Sequence, residues 1–226
     1  MKKIVYLLPP SEGKNKSPLS NFPPKVEKIA QENLSFDFKK PTQIANNVTE
    51  KDLKCFWNRF QEWLELNKKL TSPQPSPQGE GEYIEAISRY SWVMFNAIDY
   101  AWMTEHWKAF FENNFLILSW MYGVVKPLDT IWNYKLPIEA KWLYDFWWTQ
   151  IIEGLNKMWV EKVINLLPIS YAKLIYWKNK TQEKEFAKLR KFEIEDKIFY
   201  KEDWKKMAHW VKKVKGEWVK DLCENS

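Results

Sequence analysis

Short apolar runs along the chain predict a small number of buried strands. Such runs lie at residues 4–8, 115–118 and 160–167, and an alternating pattern lies within residues 186–199. The first run ends at Pro9 and Pro10, which cannot continue a central strand. In the alternating segment, Phe192, Ile194 and Ile198 share one face, which predicts a strand pair there.

Apolar residues at a spacing near the helical period predict several helices between these strands. They lie at residues 24–33, 49–70, 83–100, 104–111, 143–158 and 204–223. In the second of them, Leu53, Phe56 and Phe60 follow the helical period, and Thr49 with Asp52 is suited to cap the N-terminus. Strands and helices mix without a regular βαβ repeat. We therefore predict an α+β fold, with a single mixed-sheet domain surrounded by helices.

One low-complexity segment interrupts this pattern. Residues 71–82, TSPQPSPQGEGE, combine Pro, Gln, Ser and Gly in a sequence that cannot pack into a core. The sequence on both sides keeps the same character. We therefore expect a disordered loop inserted in one domain that covers residues 1–226.

The apolar pattern also bears on where the protein works. No apolar run approaches the roughly 18 residues that a membrane span needs. The start of the chain has only about five apolar residues before Pro9, fewer than a signal peptide requires. Cys55 and Cys223 match no metal or redox spacing, so we expect two free thiols in a reducing compartment. These features predict a cytoplasmic protein without a membrane partner.

The charge of the chain is unevenly distributed. Net charge is +6, and residues 171–226 hold 15 lysines and arginines against 10 aspartates and glutamates. Nearly all of the excess therefore lies in the last quarter. A local basic excess is typical of a protein that binds a polyanion. A lysine-rich solvated helix has the same composition, so charge alone leaves both interpretations open.

The content of tryptophan and glycine is anomalous. The chain has 15 Trp and 6 Gly, whereas a glycine content of about 7% predicts roughly 16. Trp142, Trp159 and Trp210 stand where local chemistry favours glycine, as at the end of a helix. We hypothesise that the source reads UGA as glycine and that about ten of these tryptophans are glycines in the natural protein. A tryptophan-rich core is the other interpretation.

Conventional catalytic sets are scarce in this sequence. His106 and His209 are the only histidines, which disfavours a histidine-based metal site, and no P-loop or dinucleotide fingerprint occurs. The segment SEGK follows the first predicted strand. Its Gly13 permits a close backbone approach and its Lys14 supplies a charge, as a phosphate site requires. An ordinary loop at the exit of a strand explains the same residues.

Two further segments interleave basic and aromatic residues. In the first, Tyr122, Lys126, Tyr134 and Lys135 accompany a tight turn at Gly123, which suits a nucleotide or nucleic-acid surface. A buried turn whose lysines extend to solvent is the alternative. The second segment, KKMAHWVKKVKGEWVK, carries lysines suited to contact phosphates. A solvated helix face is its alternative; its lysines are Lys205, Lys206, Lys212, Lys213, Lys215 and Lys220.

These motifs together resemble the YaaA family of bacterial peroxide-stress proteins. The resemblance is carried by LPPSEGK at residues 8–14, SWMYGVVKPLD at 119–129, NYKL at 133–136, LYDFWW at 143–148, VINL at 163–166 and KKVKG at 212–216. The chain departs from the family at Lys126, Lys135 and Lys215, where arginine is usual, and at Trp120 and Trp148, where glycine is usual. Family members usually continue past the position of Ser226, so we expect a shortened C-terminus.

The resemblance implies a protein that lowers intracellular iron and protects DNA from oxidative damage. Our first hypothesis is a non-enzymatic, DNA-binding protein of this kind. The resemblance also implies a basic cleft for double-stranded DNA and a helix-hairpin-helix-like element, which we place at residues 119–126. We expect a monomer without metal or cofactor. The predicted DNA- and phosphate-binding residues are Lys14, Tyr122, Gly123, Lys126, Tyr134, Lys135, Lys212, Lys213 and Lys215.

A second hypothesis is an enzyme that acts on a nucleotide or another phosphorylated small molecule. Lys14, Tyr122, Asp129 and Tyr134 would line its pocket, with Lys14 as phosphate anchor and Asp129 as acid or base. A deep pocket around these groups with a shifted lysine pKa favours this hypothesis, and a flat basic groove favours DNA binding.

Overall fold

A five-stranded mixed sheet forms the centre of the protein. The structure, a computed structural model, describes residues 3–16, 41–70, 83–137, 140–176, 184, 187–199 and 208–226. The strands are β1 (Lys3–Leu8), β2 (Ile84–Glu85), β3 (Phe115–Ser119), β4 (Gly123–Val125), β5 (Thr130–Ile131), β6 (Val160–Asn165) and β7 (Glu193–Asp196). The order in the sheet is β4-β3-β1-β6-β7, and β2 pairs separately with β5. The prediction of a mixed sheet combined with helices is confirmed.

Parallel pairing dominates this sheet. Strand β1 lies at its centre and pairs in parallel with β3 and with β6, and β6 pairs in parallel with β7. The side chains of β3 are buried throughout, as expected for a parallel strand covered on both faces. The carboxyl ends of these four strands therefore meet at one edge, which we call the carboxyl edge; the opposite edge is the amino edge.

Helices surround the sheet. They are α1 (Pro41–Asn47), α2 (Glu50–Leu53), α3 (Phe60–Lys69), α4 (Ala86–Arg89), α5 (Val93–Ile98), α6 (Glu105–Asn114), α7 (Trp142–Lys157), α8 (Ile169–Ala172) and α9 (Ala208–Glu224). Helix α9 packs closely on α5 at Gly216, where an added Cβ would overlap the carbonyl oxygen of Met94. None of the described helices is both long enough and apolar enough to cross a membrane.

Residues 49–70 form two helices and not the single helix predicted from the sequence. The predicted cap is confirmed, because the backbone N–H of Thr49 donates to the Asp52 carboxylate over 2.9 Å. A 3₁₀ segment, Lys54–Arg59, then separates α2 from α3. Within it Trp57 has φ 57° and ψ −128°, a conformation that no helix contains.

Two other predicted elements also differ. Residues 83–100 contain β2, α4 and α5 where a helix was predicted. The described part of the next segment, residues 187–199, contributes one strand, β7, and not a strand pair, because its partner is the distant strand β6. The predicted helix at 24–33 and the predicted loop at 71–82 lie outside the described residues.

The segment at residues 119–126, where the helix-hairpin-helix-like element was predicted, is part of a β-hairpin. Strands β3 and β4 pair in antiparallel fashion, with Ser119 opposite Gly123. The three residues between them form the turn, and Gly123 closes it with φ 77°. Glycine adopts this conformation without strain, as three-residue hairpin loops require. A helix-hairpin-helix-like element elsewhere in the chain stays a prediction.

Candidate functional site

The loop after β1 is anchored at the carboxyl edge. The backbone N–H of Asn15 donates to the Arg89 carbonyl over 2.8 Å, and that of Ser91 donates to the Gly13 carbonyl over 3.1 Å. The Ser11 hydroxyl also donates to the Ser91 carbonyl. The SEGK segment is therefore held against residues 88–91 through its backbone, which fixes the position of Lys14.

Lys14 extends into an aromatic and cationic environment. Its ammonium group donates to the Ser11 carbonyl over 3.0 Å and lies 4.3 Å from the centroid of the Tyr134 ring. Burial lowers the pKa of Lys14 to about 7, and repulsion from Lys135 and Arg89 acts in the same direction. At neutral pH both the ammonium and the amine form of this lysine are therefore populated, unlike an ordinary surface lysine, which is fully protonated.

A chain of buried hydroxyl groups lies beneath Lys14. The Tyr134 hydroxyl shares hydrogen bonds with the Tyr90 hydroxyl at 2.8 Å and with the Ser119 hydroxyl at 2.9 Å. Ser119 also accepts from the backbone N–H of Tyr122 over 3.1 Å. Burial raises the pKa of Tyr134, and the hydrogen bonds that it accepts oppose that rise. These contacts fix the position of the Tyr134 ring beneath the Lys14 ammonium group.

A groove of about 290 Å³ opens beside the Tyr134 ring, between the loop after β1, helix α3 and the segment after β5. Its cations are Lys14, Lys16, Arg59, Lys69 and Lys135, and its carboxylates are Glu12, Glu62 and Glu65. Trp63 and Tyr134 contribute aromatic surface. We call this the basic groove. Cations interleaved with aromatic rings can hold phosphates and stack bases.

Asn67 positions Lys135 in the basic groove. This fully buried amide donates to the Lys135 carbonyl over 2.7 Å and accepts from the Lys135 backbone N–H over 2.9 Å. The Lys135 ammonium group then donates to the Glu12 carbonyl over 3.0 Å and lies 5.6 Å from the Trp63 ring. Helix α3 and the segment after β5 are therefore joined through one side chain.

Sequence reasoning missed the contribution of helix α3. Arg59, Lys69 and the buried Asn67 come from the segment that was predicted as an amphipathic helix, and none was chosen as a candidate. A signal was present, because Arg59, Trp63 and Leu66 recur at intervals of four and three residues and so share one helical face. Lys16 was also missed, although it follows SEGK by two residues.

Three of the residues predicted from the central block do not line the basic groove. Strand β4 runs antiparallel to β3, so Lys126 returns toward the amino edge, where it acts with burial to lower the pKa of Lys3. Tyr122 is buried, and its hydroxyl accepts from the Trp132 backbone N–H over 3.0 Å. Asp129 is buried and accepts from the Lys126 backbone N–H over 2.8 Å, so it closes a turn.

The predicted lysines of helix α9 have three different environments. Lys212 is exposed, with its ammonium group 5.8 Å from the Trp92 ring, which lies against Gly13. Lys213 is exposed and pairs with Glu217 at 3.4 Å. Lys215 is buried and donates to the Leu166 carbonyl at the carboxyl edge, and burial lowers its pKa to about 8. Lys215 therefore supports the edge from inside and does not reach the surface.

Three tryptophans have backbone conformations that glycine favours. Trp57 has φ 57°, Trp92 has φ 95° with ψ −177°, and Trp159 has φ 56°. Their side chains are 84%, 50% and 85% exposed, so packing does not compensate for the strain. Bulky residues are rare in these regions of backbone space, and the conformation of Trp92 is essentially confined to glycine.

No group of three or more His, Cys, Asp or Glu residues suited to a metal ion occurs within the part of the chain that the structure describes. The two cysteines do not form a disulfide; Cys55 is exposed and Cys223 is buried. We therefore base the functional proposal on the basic groove and not on a metal site.

Comparisons with known proteins relate the chain to one family. A family model described as peroxide stress protein YaaA matches residues 4–226. A UPF0246 protein of Finegoldia magna is 29% identical over 167 residues, which cover 71% of this chain and 64% of the relative. A UPF0246 protein of Rickettsia rickettsii is 34% identical over 98 residues, 40% of each chain. One of Lactobacillus helveticus is 26% identical over 216 residues, covering 90% of this chain and 82% of the relative.

Proposed function

Because the chain belongs to the family of the peroxide stress protein YaaA, we propose that it acts in peroxide stress by binding double-stranded DNA along the basic groove. The observation that carries this proposal is the concentration of five cations and two aromatic rings on three converging segments. Protein bound in this way would shield DNA from oxidative damage. The effect on intracellular iron, the monomeric state and the cytoplasmic location stay predictions.

Phosphate contacts in the basic groove account for the proposed affinity. Lys16 and Lys69 are exposed, so their ammonium groups can reach the DNA backbone. Contacts of this kind carry little sequence information, and each one releases condensed counterions. The proposed binding is therefore non-specific in sequence and strongly dependent on salt.

A pair of double variants tests this proposal. Lys16→Gln with Lys69→Gln removes two cations from the basic groove, and Lys126→Gln with Lys213→Gln removes two cations outside it. Duplex affinity is measured by fluorescence anisotropy across a salt series. We expect the groove variant to reduce the slope of log K against log salt by about 2, since each phosphate contact contributes about 0.9. The control variant should leave the slope unchanged.

Two results would contradict the proposal. Equal losses in both double variants would indicate a diffuse basic surface, without a special role for the basic groove. No duplex binding by the unchanged protein at low salt would exclude DNA as the partner.

A second candidate function is the binding and conversion of a phosphorylated small molecule at Lys14. The observation that favours it is the low pKa of Lys14, about 7, inside a groove that is large enough for a small ligand. Tyr122 and Asp129, which the sequence assigned to this pocket, lie in the adjoining hairpin and turn. Lys14, Tyr134 and Lys135 are the residues left to form the pocket.

Proton uptake tests the second candidate. An anion beside Lys14 favours the ammonium form and so raises its pKa, which draws a proton from the buffer at pH 7.5. Titration calorimetry with AMP in two buffers of different ionisation enthalpy measures that uptake. We expect a fraction of a proton per ligand, lost in Lys14→Gln. Binding without proton uptake would exclude Lys14 as the phosphate anchor.

A further inference from the structure

The side-chain nitrogen of Lys14 is held without a carboxylate partner. The side chain is half-buried, whereas that of Lys16, two residues further on, is exposed. Its nitrogen atom donates to the Ser11 carbonyl over 3.0 Å and lies 4.3 Å from the Tyr134 ring and 5.4 Å from the Tyr90 ring. None of the ion pairs among the residues that the structure describes includes Lys14. A positive charge at this nitrogen is therefore poorly compensated.

The surroundings of Lys14 favour the nucleophilic amine form. Burial lowers the pKa of Lys14 to about 7, and repulsion from Lys135 and Arg89 acts in the same direction, so about half of the molecules carry a neutral amine at that pH. Loss of solvent and a neighbouring cation are the two means by which enzymes activate a lysine that attacks a carbonyl group. The hydrogen bond to Ser11 uses one N–H, so it does not engage the lone pair.

The same groove supplies cations for phosphate groups next to such a carbonyl. The cations that line it besides Lys14 are Lys16, Arg59, Lys69 and Lys135. In a sugar phosphate only a few bonds separate the aldehyde from the phosphate. These cations can therefore hold the phosphate while the aldehyde meets the amine, and together they suit a carbonyl compound that carries phosphate.

We propose that Lys14 forms a Schiff base with the aldehyde of a sugar phosphate. A DNA strand presents this aldehyde where a base has been lost, and a free sugar phosphate presents the same chemistry. The inference rests on the basic groove proposed above as the site that binds DNA or a phosphorylated small molecule. A covalent contact of this kind would retain the protein at a damaged position of a duplex.

The reaction needs no oxidant or reductant. The lysine nitrogen attacks the aldehyde carbon and forms the C–N bond. The aldehyde oxygen takes one proton from the nitrogen and one from solvent and leaves as water. The product is a protonated imine that keeps one N–H, which can still donate to the Ser11 carbonyl. Addition of water reverses each step and releases the aldehyde and the unchanged lysine.

Trapping with sodium borohydride tests this inference. Borohydride adds hydride to the imine carbon and leaves a stable secondary amine that joins the protein to its substrate. The probes are a duplex with one abasic site, the same duplex with a tetrahydrofuran residue that has no aldehyde, and free deoxyribose 5-phosphate. Denaturing electrophoresis measures the adduct with DNA, and mass spectrometry identifies the modified lysine for each probe.

We expect an adduct between the abasic duplex and Lys14, roughly tenfold or more above that at Lys16 or Lys69. The tetrahydrofuran duplex should give none. Lys14→Arg keeps a cation but has no amine nucleophile, and it should reduce the total adduct roughly tenfold. Lys213→Arg, outside the groove, should leave the adduct unchanged. Because the modified lysine is identified in the unchanged protein, the result does not depend on how the variants fold.

The Schiff base and the binding of DNA can fail separately. Adducts spread evenly over the exposed lysines, or an undiminished adduct in Lys14→Arg, would overturn the Schiff base at Lys14. Binding of an unmodified duplex, measured by anisotropy, without any adduct at Lys14 would retain DNA binding and also overturn the Schiff base. An adduct at Lys14 with deoxyribose 5-phosphate but not with the abasic duplex would support the Schiff base and identify a free sugar phosphate as its source.

Discussion

The two edges of the sheet carry lysines in contrasting surroundings. At the carboxyl edge, the ammonium groups of Lys14 and Lys135 donate to carbonyls of the loop after β1 and lie over aromatic rings. At the amino edge, repulsion from Lys126 helps to lower the pKa of Lys3, and the contacts described there include no aromatic ring beneath either ammonium group. Parallel strands explain the difference, because their carboxyl ends bring several loops to one place. The edge at which a lysine lies therefore determines its hydrogen bonds and aromatic contacts, which its charge alone does not.

The largest effect is expected where α9 meets α5, since this contact carries Lys215 to the carboxyl edge. In Gly216→Ala the new Cβ would overlap the Met94 carbonyl and lie 2.7 Å from the Ala97 Cβ. Alanine favours a helix by about 1 kcal/mol, yet we expect a net loss of about 3 kcal/mol in the free energy of unfolding. Urea denaturation measures it. Lys213→Ala on the same helix should cost under about 0.5 kcal/mol, and a neutral Gly216→Ala would contradict this close packing.

A smaller effect is expected from the hydroxyl chain beneath Lys14. Tyr134→Phe removes the hydroxyl that joins Tyr90 to Ser119, so each of these buried hydroxyls loses one hydrogen bond. We expect a loss of about 2 kcal/mol in the free energy of unfolding. Tyr122→Phe removes one accepted hydrogen bond in the neighbouring hairpin and should cost about 1 kcal/mol. Thermal or urea unfolding measures both losses. A larger loss in Tyr122→Phe than in Tyr134→Phe would contradict the importance of the hydroxyl chain for stability.

The smallest effect is a dependence of stability on pH. Lys14 has a pKa of about 7 in the folded protein and 10.5 when unperturbed, so the unfolded chain holds more protons between these values. Stability attributable to Lys14 therefore rises with pH from about 7 to about 10. The side chain is partly exposed, and we expect about 1 kcal/mol more gain between pH 7 and pH 9 in the unchanged protein than in Lys14→Met. Lys126→Met should show the same gain as the unchanged protein. A stability difference between the unchanged protein and Lys14→Met that falls as pH rises would contradict this prediction.

The strands of the core could be predicted because their apolar runs are local. Residues 4–8, 115–118 and 160–167 correspond to β1, β3 and β6, and each run is bounded by a proline or a turn. Their parallel order could not be predicted, because pairing between β1 and its neighbours joins residues more than a hundred positions apart. Local periodicity contains no information about such contacts.

The candidate site could be predicted in part. Lys14, Tyr134 and Lys135 were selected from short motifs, and the structure brings these three together. Lys126 was grouped with them because it is near in sequence, but the antiparallel return of β4 takes it to the other edge. Arg59 was missed although it shares a helical face with Trp63 and Leu66, because a basic residue on a predicted surface helix looks the same whether it is solvated or lines a groove.

A footprint of lysine reactivity tests the central claim most directly. The protein is treated with a limiting amount of an acetylating reagent, with and without a saturating DNA duplex, and each lysine is quantified by mass spectrometry. We predict that Lys16, Lys69 and Lys135 become protected several-fold, while Lys126 and Lys213 react equally in both samples. Protection of Lys126 and Lys213, with the basic groove left reactive, would contradict the assignment of DNA binding to the carboxyl edge.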